Sequence, residues 1–392
     1  MANRSGELAF APSPQSTVGV ELELQILDRE TGDLAPGAVR LLKACAEDGI
    51  QGPTAELMQS MIEVRTGVCN NVREVRQQLI PLLRDVRNIA RSLGYELGFA
   101  GTHPFHKPTN SVVFPDDRYL RIQDRLVWLV SQRVVFGLHV HVGVSTGDEA
   151  LGTMNLLVRY LPHLLALAAN SPFWQGIDTG LSSSRVALYR LLPHAGVPRC
   201  FARWKDFRTY YRILRECETI ASPKDIYWDI RPRPEYGTVE FRICDMPSTL
   251  ATTLAVVALI RSLVISARRL LAERPQLQRG DVRRNWLAVE NKWLATRHGL
   301  GATYIRTPAG KRRKLADEVA ELLHRMMPIA RETGDDVFLA AVQPVEKFET
   351  GAARQRRRYR EAGNWTPLIQ DMTRPFSELD PAPPLRLVPV GP

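Results

Sequence analysis

Apolar and polar residues alternate in three separate stretches of the chain. Residues 18–27 read VGVELELQIL; Val20, Leu22, Leu24 and Ile26 share one parity, and Glu21, Glu23 and Gln25 share the other. Successive side chains of a strand point to opposite faces. This stretch is therefore expected to be a strand with one apolar face and one face carrying two carboxylates. Residues 137–144 repeat the plan: Leu138, Val140, Val142 and Val144 lie opposite Gly137, His139, His141 and Gly143. The two glycines are expected to leave room around the imidazoles. In TVEFRIC, residues 238–244, Val239, Phe241 and Ile243 oppose Glu240 and Arg242.

Elsewhere the spacing is helical. NNVREVRQQLIPLLRDVRNIARSLG opens on an asparagine cap and carries Pro81, which is expected to kink it. ALGTMNLLVRYLPHLLALAANSP reads as a second helix, residues 249–273 as a third and KLADEVAELLHRMMPIARETG as a fourth. In PTAELMQSMIEVRTG, Glu56 and Glu63 are seven residues apart, so both fit one face of a two-turn helix. The same segment also reads as a strand at IEVRT that displays Glu63 with Arg65. Helices interleaved with strands, without a break in composition, predict one α+β domain with helices packed on one side of a sheet. Residues 1–15 read as a loose N-terminal tail, residues 16–375 as the single folded domain, and residues 376–392 as a proline-rich tail.

Composition narrows the classes. A chain of 392 residues with 44% hydrophobic and 24% charged residues can bury a large core. Five scattered cysteines without a Cys-x-x-Cys pair argue against a disulfide framework and a zinc ribbon. The N-terminus lacks the apolar core of a signal peptide. The most apolar run, LATTLAVVALIRSLVISARRLLAE, is interrupted by Arg261, Arg268 and Arg269, so it reads as a buried helix, not a membrane span. The expectation is a cytoplasmic protein without a membrane partner. A net charge of +10 favours acidic ligands but does not choose among nucleotides, carboxylates and nucleic acid.

An alternating strand with one wet face is commonly an antiparallel strand exposed on one side, and such a face mixes lysine, threonine and serine. Here the polar faces carry Glu, Glu, His, His, Glu and Arg. Carboxylates and imidazoles are ligand types for divalent cations, and like charges crowded on one face repel unless a cation neutralises them. If the strands are neighbours, that face is a candidate metal site, and its glutamate-rich donors suit Mg²⁺ or Mn²⁺ better than zinc. Carboxylates and arginines around magnesium point to phosphate chemistry. The chain has neither a G-x-x-x-x-G-K-[ST] loop nor a G-x-G-x-x-G turn after a strand.

The set GVELEL, GTHPFHK, FGLHVHVGV, GIDTGLSSSR, YWDIRPRPEYGTVEFRICD and TGAARQR, in this order from Thr17 to Arg358, resembles the YbdK-type carboxylate-amine ligases of the glutamate–cysteine ligase type 2 family. The resemblance implies a glutamine-synthetase-like fold, a curved antiparallel sheet with the active site on its concave face. It implies ATP, Mg²⁺ or Mn²⁺, and small-molecule carboxylate and amine substrates, with glutamate as the carboxylate. It also implies Glu21, Glu23, Glu56, Glu63, His139 and Glu240 as metal ligands. Arg242 would stabilise the phosphoryl group in transfer, and Arg185 would contact phosphate or the carboxylate substrate. His141, Arg231 and Arg354 are further candidates for nucleotide or substrate contact. His141 could equally support its neighbour, and Arg231 could equally pair with Asp229. The resemblance points to a homodimer. Two loop stretches, around GTHPFHKPTNSVVFPDD and LLPHAGVPRC, are candidates for a lid that keeps an acyl phosphate from water.

Other features have plainer readings. His103 and His106 flank a proline and suit a structural turn. Trp174, Trp204 and Trp293 are expected in the core. KRRK (311–314) and RQRRRYR (354–360) lack an accompanying nucleic-acid module and read as solvated faces. Two alternatives to a ligase stay open: a hydrolase or amidase on the same scaffold, and a non-enzymatic nucleotide or nucleic-acid binder.

Overall fold

The computed structural model describes residues 8–374. Its centre is a seven-stranded antiparallel sheet. The strands are β1 (Val18–Asp28), β2 (Pro53–Ala55), β3 (Met61–Arg65), β4 (Tyr95–Gly98), β5 (Gly137–Gly143), β8 (Ile230–Arg233) and β9 (Thr238–Asp245), in the order β2-β3-β1-β5-β9-β8, with β4 paired to the far end of β1. Two small hairpins lie outside it, β6 (Phe173–Trp174) with β7 (Ile177–Asp178) and β10 (Thr303–Ile305) with β11 (Arg312–Lys314). The three alternating stretches are therefore adjacent strands, β1, β5 and β9. The segment with two readings is a strand, so Glu56 and Glu63 do not share a helix.

Alternation decides which face of the sheet is covered. Val20, Leu22, Leu24, Leu138, Val140, Val142, Val239, Phe241 and Ile243 are all buried in one core. Against that face lie the helices Val72–Ser92, Gly147–Leu157, Leu161–Ala168 and Leu250–Glu273. Asn71 caps the first by accepting from the Glu74 amide, and the helix runs through Pro81. The second expected helix is interrupted at Val158–Tyr160 by a 3₁₀ turn, with Pro162 at the start of its second half, where a missing N–H is tolerated. The helix Leu250–Glu273 is long and apolar enough to cross a membrane, and 89% of its most apolar stretch is buried inside the protein.

Arg261, which interrupts that apolar run, ties three segments together. Its guanidinium donates to the Ser16 carbonyl at 2.8 Å and the Asn70 carbonyl at 2.6 Å, and it pairs with Asp335. Asp335, fully buried, also accepts the amide of Val72 at 3.0 Å, the first residue of the helix Val72–Ser92. A second tie is Asp245 at the end of β9, which accepts from the hydroxyls of Ser171 (2.6 Å) and Ser183 (2.7 Å) and the amide of Asn170 (2.8 Å).

Residues 8–15 differ from the loose tail expected. The Ala11 amide donates to Pro234 and the Ser13 amide to Val144, so this segment crosses the ends of β5, β8 and β9. Gly143 and Gly237 permit that crossing, since a Cβ on either would lie 2.2 Å from the Pro14 carbonyl or 2.1 Å from the Ala11 carbonyl. The expected tail 376–392 lies outside the described residues. Trp293 differs from its expected place in the core: it is 44% exposed on the helix Val282–His298.

Removing Asp335 leaves the buried guanidinium of Arg261 without its carboxylate and the buried Val72 amide without its acceptor. Asp335→Ala is expected to lower folding stability by about 3–5 kcal/mol, measured as a fall in the urea midpoint with an unchanged slope.

Candidate active site

The register of the central strands assembles the polar face. Across β1 and β3, Glu21 faces Arg65 and Glu23 faces Glu63. Across β1 and β5, Glu21 faces His139. Across β5 and β9, His141 faces Glu240, and an irregularity between Leu138 and Val140 shifts the pairing near His139. Across β8 and β9, Arg231 faces Glu240. The result is a cleft of about 250 Å³ whose walls include Glu21, Glu23, Glu56, Glu63, His139, Arg231 and Arg242.

Two sets of donors converge there. Glu21, Glu63 and His139 can each bring one ligand atom within 4.8 Å of the others, as can Glu21, His141 and Glu240. Glu21 belongs to both. Its carboxylate lies 3.2 Å from Nδ1 of His139 and 3.3 Å from Nε2 of His141. Burial opposes its charge, but the two imidazoles outweigh burial and hold the carboxyl well below its usual range. Burial and the neighbouring Glu56 push Glu23 up to about 7. Burial and the carboxylates of Glu21, Glu56 and Glu23 push Glu63 well up. Burial and the nearby Arg242 depress His139 to about 3, so its ring is neutral and has a lone pair to offer. The buried Nε2 atoms of His139 and His141 have no hydrogen-bond partner. Mutually repelling carboxylates with two imidazole nitrogens that face them, at 3.3 and 3.6 Å, without a well-aligned hydrogen bond fit divalent cations that take oxygen and nitrogen ligands.

Glu240 is the most heavily engaged of these groups. It is fully buried and takes contacts from Arg231 (2.6 Å), Arg233 (3.0 Å) and Arg242. Burial opposes its charge, and the three guanidiniums overcome that and hold it ionised. Arg231 thus pairs with Glu240. Asp229, the alternative partner, pairs with Lys292 at 2.7 Å. Arg242 also donates to the Tyr189 hydroxyl at 2.9 Å. His141 is anchored through Nδ1 at 3.0 Å from the Thr238 hydroxyl. Glu56 lines the cleft with one oxygen accepting its neighbour's amide, that of Leu57, at 2.9 Å.

Two candidates sit elsewhere. Arg185 is buried behind the cleft, where it donates to the Arg242 carbonyl at 3.2 and 3.3 Å. It passes so close to Gly137 that a Cβ there would lie 2.1 Å from its guanidinium. Gly137 therefore makes room for an arginine, not for the imidazoles. Arg354 stands on the helix Gly351–Ala362, 3.6 Å from Glu349 and away from the cleft walls.

Arg133, Arg233, Arg118 and Tyr119, which no alternating pattern singles out, also line the cleft. Arg233 shares parity with Arg231 in IRPR, a signal present but shortened by two prolines. Arg133 lies in no periodic segment; its guanidinium sits 4.9 Å from the Tyr227 ring centre and 5.7 Å from that of Tyr189. Arg118 and Tyr119 belong to the helix Asp117–Leu126, immediately after the first of the two candidate lid stretches. His103 and His106 fasten that stretch to the Gly32–Asp33 turn, through the Gly32 carbonyl at 2.9 Å and the Asp33 carboxylate at 2.7 Å. The basic runs are matched by acids: Arg356 with Asp178, Arg357 with Glu349, Arg358 with Asp371 and Arg313 with Glu321.

The profile of the family described as glutamate-cysteine ligase family 2 matches residues 17–375. A protein of Thermobifida fusca (strain YX) named "Putative glutamate--cysteine ligase 2" is 40% identical over 382 residues, 96% of this chain and 94% of that one. A protein of Gloeobacter violaceus with the same name is 37% identical, over 93% of this chain and 98% of that one. Among solved structures, a glutamate–cysteine ligase from Francisella tularensis in complex with AMP superposes with a TM-score of 0.69. It is 12% identical, covering 94% of this chain and 90% of that one. A bifunctional glutathione synthetase from Pasteurella multocida gives a TM-score of 0.66 at 16% identity, over 93% of this chain and 52% of that one. At such identities these two likenesses concern the fold alone.

The shared position of Glu21 makes the two donor sets separable by stoichiometry. Glu21→Gln is expected to weaken Mn²⁺ at both, by about ten-fold or more, whereas Glu63→Gln weakens one. Titration followed by electron paramagnetic resonance should count about two ions for the wild type, about one for Glu63→Gln and none at the same Mn²⁺ concentration for Glu21→Gln.

Proposed function

The chain belongs to glutamate-cysteine ligase family 2, a family of ATP-dependent C–N ligases, and we propose that it activates the side-chain carboxylate of L-glutamate and joins it to an amine. The observation that carries this reading is the cleft itself: carboxylates and imidazoles on one side, and on the other three arginines gathered on a single buried glutamate.

A carboxylate is a poor acyl donor because its leaving group would be oxide. Phosphorylation converts it to an acyl phosphate that an amine can attack. When bound, ATP would supply the phosphoryl group, and Mg²⁺ or Mn²⁺ would neutralise negative charge on it. The residues of the chain position and balance charge. Glu21, Glu63 and His139 would hold one cation, and Glu21, His141 and Glu240 a second, with Glu23 and Glu56 adding carboxylates beside them. Arg242 is held from two sides, by Glu240 and by the Tyr189 hydroxyl, so its charge is oriented before a phosphoryl group arrives. Arg185 supports Arg242 from behind through its backbone carbonyl. Arg133, flanked by tyrosine faces and with Glu56 acting on it from beyond ion-pair distance, suits a substrate carboxylate, which a guanidinium binds bidentately.

A hydrolase would use the same metals with water in place of the amine, and dependence on an amine separates the two. Phosphate release from ATP with Mg²⁺ and L-glutamate is expected to rise when an accepted amine is added, with a matching new amide mass in the products. Release that ignores every amine in a panel of amino acids and alkylamines, with no amide formed, would replace the ligase by a hydrolase.

Arg242→Ala is expected to lower kcat by about 10²–10³ while Mn²⁺ still binds. A loss confined to KM would instead give Arg242 a role in ground-state binding.

A further inference from the structure

A second cavity of about 250 Å³ lies outside the cleft, between the interrupted helix pair at Val158–Ala168, the helix Val282–His298, β10 and the helix Leu315–Thr333. Its charge is one-sided. Arg159, Arg284, Arg306 and Arg325 line it against Glu318 and Glu321. Arg306 lies 3.2 Å from Glu318, whose Oε1 is buried and makes no hydrogen bond, and Arg313, outside the cavity, pairs with Glu321. Arg284 has only a 3.8 Å approach to Asp281. Arg159 and Arg325 have no carboxylate within 4.0 Å among the described residues. They converge on one ring, 4.9 and 5.9 Å from the centre of Tyr160. Arg325 also donates to the Tyr160 hydroxyl at 3.5 Å and lies near enough to Glu321 to help hold that carboxyl down, yet four guanidiniums against two carboxylates leave the lining with a positive surplus that favours an anion.

The floor adds a second, independent sign. His163 is 2% exposed, and its Nδ1 has no hydrogen-bond partner. Its ring is held edge-on between Tyr160 (5.5 Å) and Tyr304 (4.9 Å). A buried polar nitrogen without a partner in a native fold calls for a ligand or a water. Burial and the charges of Arg159 and Arg325 depress His163 to about 3, so the ring is neutral and can donate or accept one hydrogen bond. Leu287, Ala288 and Ile305 supply an apolar wall. The interruption at Val158–Tyr160 is what places Arg159 and Tyr160 at this cavity, in a segment whose pattern reads as an unbroken helix.

We propose that this cavity is a second ligand site, separate from the catalytic cleft, for a compact organic anion bearing two or more phosphate or carboxylate charges. Arg159 and Arg325 take the charges, and His163 supplies a neutral hydrogen bond at the floor. This site does not depend on the ligase reading.

The test uses the full chain in metal-free buffer and two probes, pyrophosphate and citrate, titrated calorimetrically. The wild type is expected to bind at least one of them at the cavity. The double variant Arg159→Gln/Arg325→Gln is expected to weaken that binding by about ten-fold or more, while Arg356→Gln, on a distant ion-paired face, leaves it unchanged. Loss of pyrophosphate binding alone assigns a phosphorylated ligand, and loss of citrate binding alone a polycarboxylate. Retained circular dichroism and Mn²⁺ stoichiometry in the double variant show that the fold and the cleft are intact. If the double variant is poorly folded, the single change Arg325→Gln, at an exposed side chain, serves in its place with the same expected direction. Unaltered binding of both anions in a folded variant, or no binding of either to the wild type up to about 10 mM, overturns the proposal.

Discussion

The cleft depends on one buried carboxylate. Glu240 is fully removed from water and lies against three guanidiniums. Three arginines this close would repel one another; with Glu240 ionised among them and Glu235 paired to Arg233 at 2.9 Å, the cluster keeps one net positive charge in a fixed arrangement. Burying so many ions costs several kcal/mol each in desolvation, offset only where geometry and hydrogen bonds are good. Arg231 meets that condition by donating also to the carbonyls of Ile226 (2.6 Å) and Lys224 (3.1 Å). The arrangement gives the cleft oriented positive charge before any anion arrives, and such preorganised charge in a water-poor site acts without reorganisation.

The opposite wall has the opposite imbalance. Glu21, Glu23, Glu56 and Glu63 crowd together, and the pressure on Glu23 and Glu63 to take up protons comes from burial and mutual repulsion, which Arg185 and Arg242 relieve only in part at Glu23. A surplus of negative charge on one side and of positive charge on the other, within one cleft, would suit a ligand that carries its own cations: the carboxylates and imidazoles would take the metal and the guanidiniums the phosphate. The scaffold keeps the walls apart. Arg261 and Asp335 lock the helix layer to the chain just before β1, and Asp245 gathers Asn170, Ser171 and Ser183 at the end of β9. These polar ties lie beneath the sheet, where any strand slip of one residue would turn the whole polar face inward.

How much of this was readable beforehand varies with range. β1, β5 and β9 were legible because strand alternation is a local, period-two signal and each strand has one fully buried face. Glu21, Glu23, His139, His141, Glu240 and Arg242 all fall on the side that alternation assigns them. Glu56 and Glu63 fit a helix as well as a strand until pairing with β1 decides. Arg133 sits in an aperiodic stretch between a helix and β5, and nothing local sets its side chain among Tyr189, Tyr227 and the cleft. Arg185 and Arg354 sit in motifs of the family resemblance, yet the first lies beneath Arg242 and the second on a helix away from the cleft walls. Residues 8–15 lack periodicity altogether, and their place comes from backbone bonds to Pro234 and Val144.

By itself, the order of residues determined β1, β5 and β9, the helix cap at Asn71, and the chemistry displayed on each polar face. Those follow from backbone geometry acting over two to four neighbours. Tertiary structure decided which faces meet: that Glu21 stands between His139 and His141, that Glu240 gathers Arg231, Arg233 and Arg242, and that a helix breaks at Val158–Tyr160 to open a second basic cavity. The Glu21 contacts join residues more than a hundred positions apart, and the Glu240 cluster, though close in sequence, forms only once β8 and β9 pair. Their energies depend on burial and on partners, and no local pattern encodes either.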